Sequence, residues 1–191
     1  MSTDTLALLE LDSVATGLRC IDLMVKQAPI QILEANLVEP GHFLILYSGP
    51  LAAVEESHRV AMAFVDTPLD NVLLPMAHPA LLDGLRGETL LLAADSYDCL
   101  GVVEPKTIAG AMLACDRSLK DTYVDLCGIR IQGGLGGRSY FVVHGAQHDV
   151  EESLAVATER LGEEGIHNTE CIARPHEEMV RWLFRQYPFS V

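Results

Sequence analysis

No stretch of this chain is basic: 13 lysines and arginines stand against 27 aspartates and glutamates, for a formal charge of −14. A nucleic-acid binder needs a positive face to displace counterions from phosphates, so that class is excluded. No apolar run reaches the roughly 18–20 residues of a membrane-spanning helix. The start, Met1-Ser2-Thr3-Asp4, is acidic where a signal peptide would be basic. A cytoplasmic protein with no membrane partner is the expectation. The five cysteines (Cys20, Cys99, Cys115, Cys127, Cys171) show no CxxC spacing, which points to buried thiols in a reducing compartment.

Catalytic signatures are missing as well. No HExxH motif is present: His144 and His148 are four apart, but Gly145 between them marks a strand end and loop instead of one helix face. The glycine-rich Gly133-Gly134-Leu135-Gly136-Gly137 leads into a strand, and no lysine–threonine pair follows, so it is not a phosphate loop. The chain is therefore expected to be no enzyme and to need no cofactor or metal.

What is present is a repeat, and the organising stretch is Leu37-Val38-Glu39-Pro40-Gly41-His42-Phe43. Apolar β-formers flank its Pro-Gly pair, which reads as two strands and a tight turn. The same design returns where Val124–Ile131 and Tyr140–Val143 flank the turn Gln132–Gly137. Glu10, Ala15, Asp22 and Lys26 recur as Glu104, Ala109, Asp116 and Lys120, a constant displacement of 104 − 10 = 94 positions. Beyond the turn, Gly41, Gly49, Val54, Glu55, Glu56, Ser57, Val60 and Ala61 recur as Gly137, Gly145, Val150, Glu151, Glu152, Ser153, Val156 and Ala157, displaced by 137 − 41 = 96. Ala77 and Pro79 match Ala173 and Pro175 at that same spacing. The chain is a tandem duplication, with domains at 1–86 and 99–191 and a linker over 87–98.

Each copy reads β-α-β-β-α-β with a terminal helix, an α/β (α+β) sandwich. Leu6–Leu11 is a strand and Ser13 caps a helix over Val14–Ala28, whose apolar stripe is Val14, Leu18, Ile21 and Val25. Leu51–Phe64 is helical, with Leu51, Val54, His58 and Ala61 on one side. A short strand, Val72–Leu74, and a helix, Ala80–Leu85, close the first copy. The second copy offers a strand Leu100–Glu104, helices Thr107–Lys120 and Val150–Leu161, a strand Cys171–Ala173 and a helix Glu177–Gln186. Glu55-Glu56 and Glu151-Glu152 are expected to open their helices, where carboxylates complement the dipole. Asp22–Lys26 and Asp116–Lys120 are i,i+4 ion pairs.

These residues resemble a known family. The Glu10 strand, the Asp22…Lys26 helix, the Pro40-Gly41 turn, the Gly49…Val54-Glu55 helix start and Ala173-Arg174-Pro175-His176 are similar to the bacterial microcompartment shell domain. Two unpermuted copies resemble the tandem-domain shell proteins, most closely the propanediol-compartment type that carries an iron–sulfur cluster. The resemblance implies a homotrimer that mimics a hexamer, tiles with hexameric and pentameric shell proteins, and sits in the microcompartment shell. It implies a central pore for small polar metabolites or cations, lined by Glu39, Pro40, Gly41, Gly134, Leu135, Gly136 and Gly137. It also implies tile-edge contacts by Lys26, Lys120 and Arg174, with His78 in place of the arginine in the first copy. The cluster-bearing relatives have cysteine where this chain has Glu39, and three carboxylates do not hold an iron–sulfur centre. No cluster is expected. The rival reading is a redox tile with a metal centre at the pore.

Overall fold

The computed structural model describes residues 5–184 except 89, 91, 94, 95 and 132–134. The first copy contains β1 (Thr5–Leu11), α1 (Val14–Gln27), β2 (Gln31–Val38), β3 (His42–Gly49), α2 (Leu51–Val65), β4 (Asp70–Leu74) and α3 (Pro79–Leu85). The second repeats the order with β5 (Cys99–Pro105), α4 (Ile108–Asp121), β6 (Asp125–Arg130), β7 (Tyr140–Gly145), α5 (Gln147–Leu161), β8 (Ile166–Ala173) and α6 (Glu177–Val180). The expected linker lies partly outside the described residues.

The strands form two antiparallel sheets, ordered β2-β3-β1-β4 and β6-β7-β5-β8. Even an irregularity is duplicated: β2 bulges between Ile32 and Glu34, and β6 between Leu126 and Gly128. In each sheet the bulge absorbs one extra residue in the edge strand.

All seven residues of β1 are buried, because both faces of the first sheet are covered. Ala7, Leu9 and Leu11 meet Cys20 and Met24 of α1 and Val54 and Ala61 of α2. Leu6 and Leu8 point the other way and join Leu74, Leu81 and the core of the second domain. One apolar cluster thus spans both copies. The far face of the second sheet packs Leu100, Cys127 and Val142 against Tyr97 and Val180.

Several local expectations shift. The stripe Val14, Leu18, Ile21 and Val25 is not the buried face of α1; Gly17, Cys20 and Met24 are. Gly17 makes the close approach possible, since a Cβ there would lie 2.1 Å from Phe43 Cδ1. Glu55 and Glu56 do not open α2, which starts at Leu51; Glu56 instead accepts from Gln27 and Arg59. Glu151 likewise falls in the second turn of α5 and accepts from Gln147. β8 begins five residues earlier than expected (171 − 166), because polar His167 to Glu170 disguise an edge strand. The last helix stops at Val180, where bonds from Trp182 to Met179 and Leu183 to Val180 tighten the chain into i→i−3 turns. Residues 185 and 186, expected to end that helix, lie outside the described residues.

Candidate functional site

The two hairpin turns, remote in sequence, meet in space. Gly41 N–H closes the first turn on Val38 O at 2.9 Å, and Gly136 N–H donates to Glu39 Oε2 at 3.0 Å. Gly137 is pressed against that turn: a Cβ on it would sit 3.1 Å from Pro40 Cδ and 3.3 Å from Glu39 O. Its φ of 87° is also the left-handed conformation that glycine tolerates. Glu39, Pro40, Gly41, Gly136 and Gly137 are therefore brought together, with Leu135 on the same turn. Gly134 lies outside the described residues. Glu39 is exposed, and one carboxylate oxygen is held by the neighbouring turn.

Below the turns, a cleft of about 270 Å³ runs between the domains, with Glu10, His42, Asp70 and Lys106 among its walls. Glu10 is buried and meets His42 Nδ1 at 2.6 Å. The second copy places Glu104 and Arg138 at the matching positions, 3.7 Å apart. Among the described residues, no three His, Cys, Asp or Glu side chains converge as a metal site. Burial pushes the Cys20 thiol up to about 11 and the Cys127 thiol up to about 12, which keeps both protonated and poor as ligands.

The seam between the domains is built on α4. Asp116 is no ordinary surface pair: its Oδ1 accepts the backbone N–H of His78 at 2.7 Å, and its Oδ2 accepts from Lys120 Nζ at 2.6 Å. Lys120 also donates to Pro75 O at 3.3 Å. Beside this, α3 sits on β6, where Gly84 lies against Leu126 and Ile129. Sequence reasoning read Asp116 only as a helical ion pair. The available signal was that Asp22 and Asp116 recur together with their lysines.

Strand register also changes one correspondence. Leu6 pairs with Leu74 in the first sheet and Leu100 with Ile172 in the second, so the counterparts at this end lie 172 − 74 = 98 apart, not 96. Met76 is then the partner of Arg174, and both have a left-handed backbone, with φ of 47° and 49°. His78 corresponds to His176, and each imidazole caps its helix by accepting a backbone N–H two residues on. The expectation that His78 stands in for the arginine is thus corrected: Met76 does. His78 lies half-buried on the domain seam.

The two α1/α4 faces have different fates. On α4, Ile108, Met112 and Leu119 are 0%, 0% and 7% exposed, because the first domain covers them. Their counterparts on α1, Val14, Leu18 and Val25, are 40%, 58% and 44% exposed. The Asp22 side chain is 38% exposed against 3% for Asp116, and Lys26 69% against 28% for Lys120.

Comparison with known proteins places this geometry. The BMC domain family matches residues 5–77 and 99–175. The bacterial microcompartment shell protein PduT of Citrobacter freundii is 33% identical over 183 residues, covering 95% of this chain and 98% of that protein. The crystal structure of a microcompartments protein from Desulfitobacterium hafniense DCB superposes with a TM-score of 0.82 at 32% identity, over 94% of this chain and 99% of the other. The fused permuted hexameric shell protein MSM0275 from the RMM microcompartment shares the fold, with a TM-score of 0.59 at 16% identity over 83% and 81% of the two chains.

Proposed function

The chain belongs to the BMC-domain family, as a tandem-domain microcompartment shell protein, and from that premise we propose a non-enzymatic tile made of three copies around a central pore. The observation that carries this reading is the mismatch between α1 and α4. The same helix face, with the same Asp–Lys pair, is sealed inside the chain in one copy and bare in the other. A second copy of the chain completes it, by placing its β8 and α6 on α1 as β4 and α3 are placed on the second domain. Asp22 then accepts the backbone N–H of the partner's His176, and Lys26 reaches the carbonyl of the partner's Ala173. Repeating that step with the intrachain seam closes a ring of six domains. Burying three large apolar side chains at each seam supplies on the order of several kcal/mol.

In that ring the paired turns gather on the axis, so Glu39, Pro40 and Gly41 alternate with Gly134, Leu135, Gly136 and Gly137. Three Glu39 carboxylates, each steadied by a Gly136 N–H, favour small polar metabolites and cations over anions. Lys26 and Arg174 are the candidate contacts to neighbouring hexameric and pentameric tiles. Lys120 holds the intrachain seam as Lys26 would hold the seam between copies, so both contribute less to that contact than Arg174, as does His78. A redox tile would need soft ligands on the axis, and the turn offers a carboxylate there instead.

Light scattering of the purified protein tests the assembly, with an expected mass of three times 20.8 kDa. Leu18→Glu, on the exposed stripe, should give a folded monomer; a trimer unchanged by that charge would sink the proposed seam. Crystals soaked in caesium should show an anomalous peak on the threefold axis that Glu39→Gln abolishes. Iron and visible absorption in the untreated protein would shift the reading to the redox tile.

A further inference from the structure

We infer that Cys99 and Cys171 are a redox-active pair that closes into a reversible disulfide with a small disulfide-class oxidant. The two Sγ atoms are 3.3 Å apart, in contact but beyond the roughly 2 Å of a disulfide bond. Their strands are adjacent, with Gly101 of β5 directly opposite Cys171 of β8. Side chains two residues apart on a strand share a face, so Cys99 is diagonal to Cys171 on the side covered by α5. Gly101 has no side chain to hold Cys171 away, and Val150 and Leu154 of α5 fill the space above it instead. The Cys99 thiol is thereby left in contact with Cys171.

The pair is a property of the second domain alone. The same register puts Thr5 and Leu73 at the equivalent places of the first sheet, so the duplication did not supply it. Access is one-sided: Cys99 is wholly buried, and Cys171 is half-buried on an edge strand. Leu73, at the matching position of the intrachain seam, is likewise only half-buried, so packing of a second copy in that manner leaves Cys171 reachable. Burial pushes the Cys99 thiol up to about 12, which makes Cys171 the entry point.

The chemistry is thiol–disulfide exchange. Cys171 gives its proton to solvent and its sulfur attacks oxidised glutathione, releasing one glutathione thiol and leaving a mixed disulfide. Cys99 then loses its proton and attacks the Cys171 sulfur, and the second glutathione leaves. Two protein thiols are oxidised and one glutathione disulfide is reduced to two thiols. The bond staples β8 to β5 directly ahead of Arg174 and His176.

The test treats the intact protein with oxidised glutathione and counts thiols under native conditions followed by denaturing alkylation. The expected result is a fall from five free thiols to three, a linked Cys99–Cys171 peptide on mass mapping, and full reversal by dithiothreitol. Cys171→Ser should keep all four remaining thiols, and the oxidised protein should melt higher than the reduced one only when Cys171 is present. A count that stays at five, a glutathione adduct on Cys171 that never resolves, or linkage through another cysteine would overturn the pairing.

Discussion

Asp116 accepts the backbone N–H of His78 at 2.7 Å, a single bond that ties the end of the first domain to the fourth helix of the chain. The aspartate is almost wholly buried and also holds Lys120, so removing it strands a buried donor and a cation together. Asp116→Ala should cost about 2–4 kcal/mol in urea unfolding. Asp22→Ala should leave the unfolding midpoint of dilute, monomeric chain almost where it was, and instead raise the concentration at which trimers fall apart. Equal effects from the two substitutions would contradict the difference in burial.

A second contrast lies between Gly17 and Phe43. Alanine at position 17 gains about 1 kcal/mol of helix propensity. It also drives a methyl into the buried Phe43 ring, with 2.1 Å to Cδ1 and 2.6 Å to Cε1. Overpacking of this kind costs about 1–3 kcal/mol, so Gly17→Ala should be net destabilising. The second domain holds Ala111 and Ser139 at the equivalent places, a smaller pair across the same gap. Adding Phe43→Leu to Gly17→Ala should therefore recover part of the loss, a non-additivity that thermal unfolding would read directly.

Two histidines make the fold sensitive to mild acid. Desolvation lowers the pKa of His58 and of His144 below the ordinary value, and Tyr47 Oη meets His58 Nδ1 at 2.6 Å. The unfolded chain binds protons near pH 6.5 that the folded chain refuses. Stability is therefore complete above about pH 6.5 and declines as the pH falls toward the lowered values, by at most about 1.4 kcal/mol per pH unit for each group. His58→Gln with His144→Asn should flatten the unfolding free energy between pH 6.5 and 5. A slope unchanged by both replacements would place the proton uptake elsewhere.

The glycines of the second turn should differ although they are neighbours. Gly136 has φ of 61° and open space beyond its Cα, so alanine there meets only the modest left-handed cost of about 1 kcal/mol. Gly137 has φ of 87° and lies against Pro40 and Glu39 O, so its alanine adds a steric push between the turns. Gly137→Ala should cost about 1–3 kcal/mol and lengthen the Glu39–Gly136 contact, visible as faster amide exchange at Gly136. Equal costs at both positions would mean that the turns do not press on one another.

Much of this molecule was legible before any coordinates. The duplication, the order of its elements and the hairpins follow from local patterns, because periodicity and turn residues are written within a few positions of each other. The polar edge strand β8 was seen only in its last three residues, since its outward side chains carry no alternation to read.

What the sequence determined alone is therefore the repeat, the fold of each copy and the family it belongs to. Tertiary structure decided which apolar stripe is core and which is surface. Val14, Leu18 and Val25 carry the same helical signal as Ile108, Met112 and Leu119, yet among the described residues only the latter three are buried. It also decided that Met76, not His78, answers Arg174. Matching letters favoured a spacing of 96, whereas hydrogen-bonded strands set it at 98. Side-chain pattern records what a residue is suited to touch, and only the folded backbone fixes what it meets.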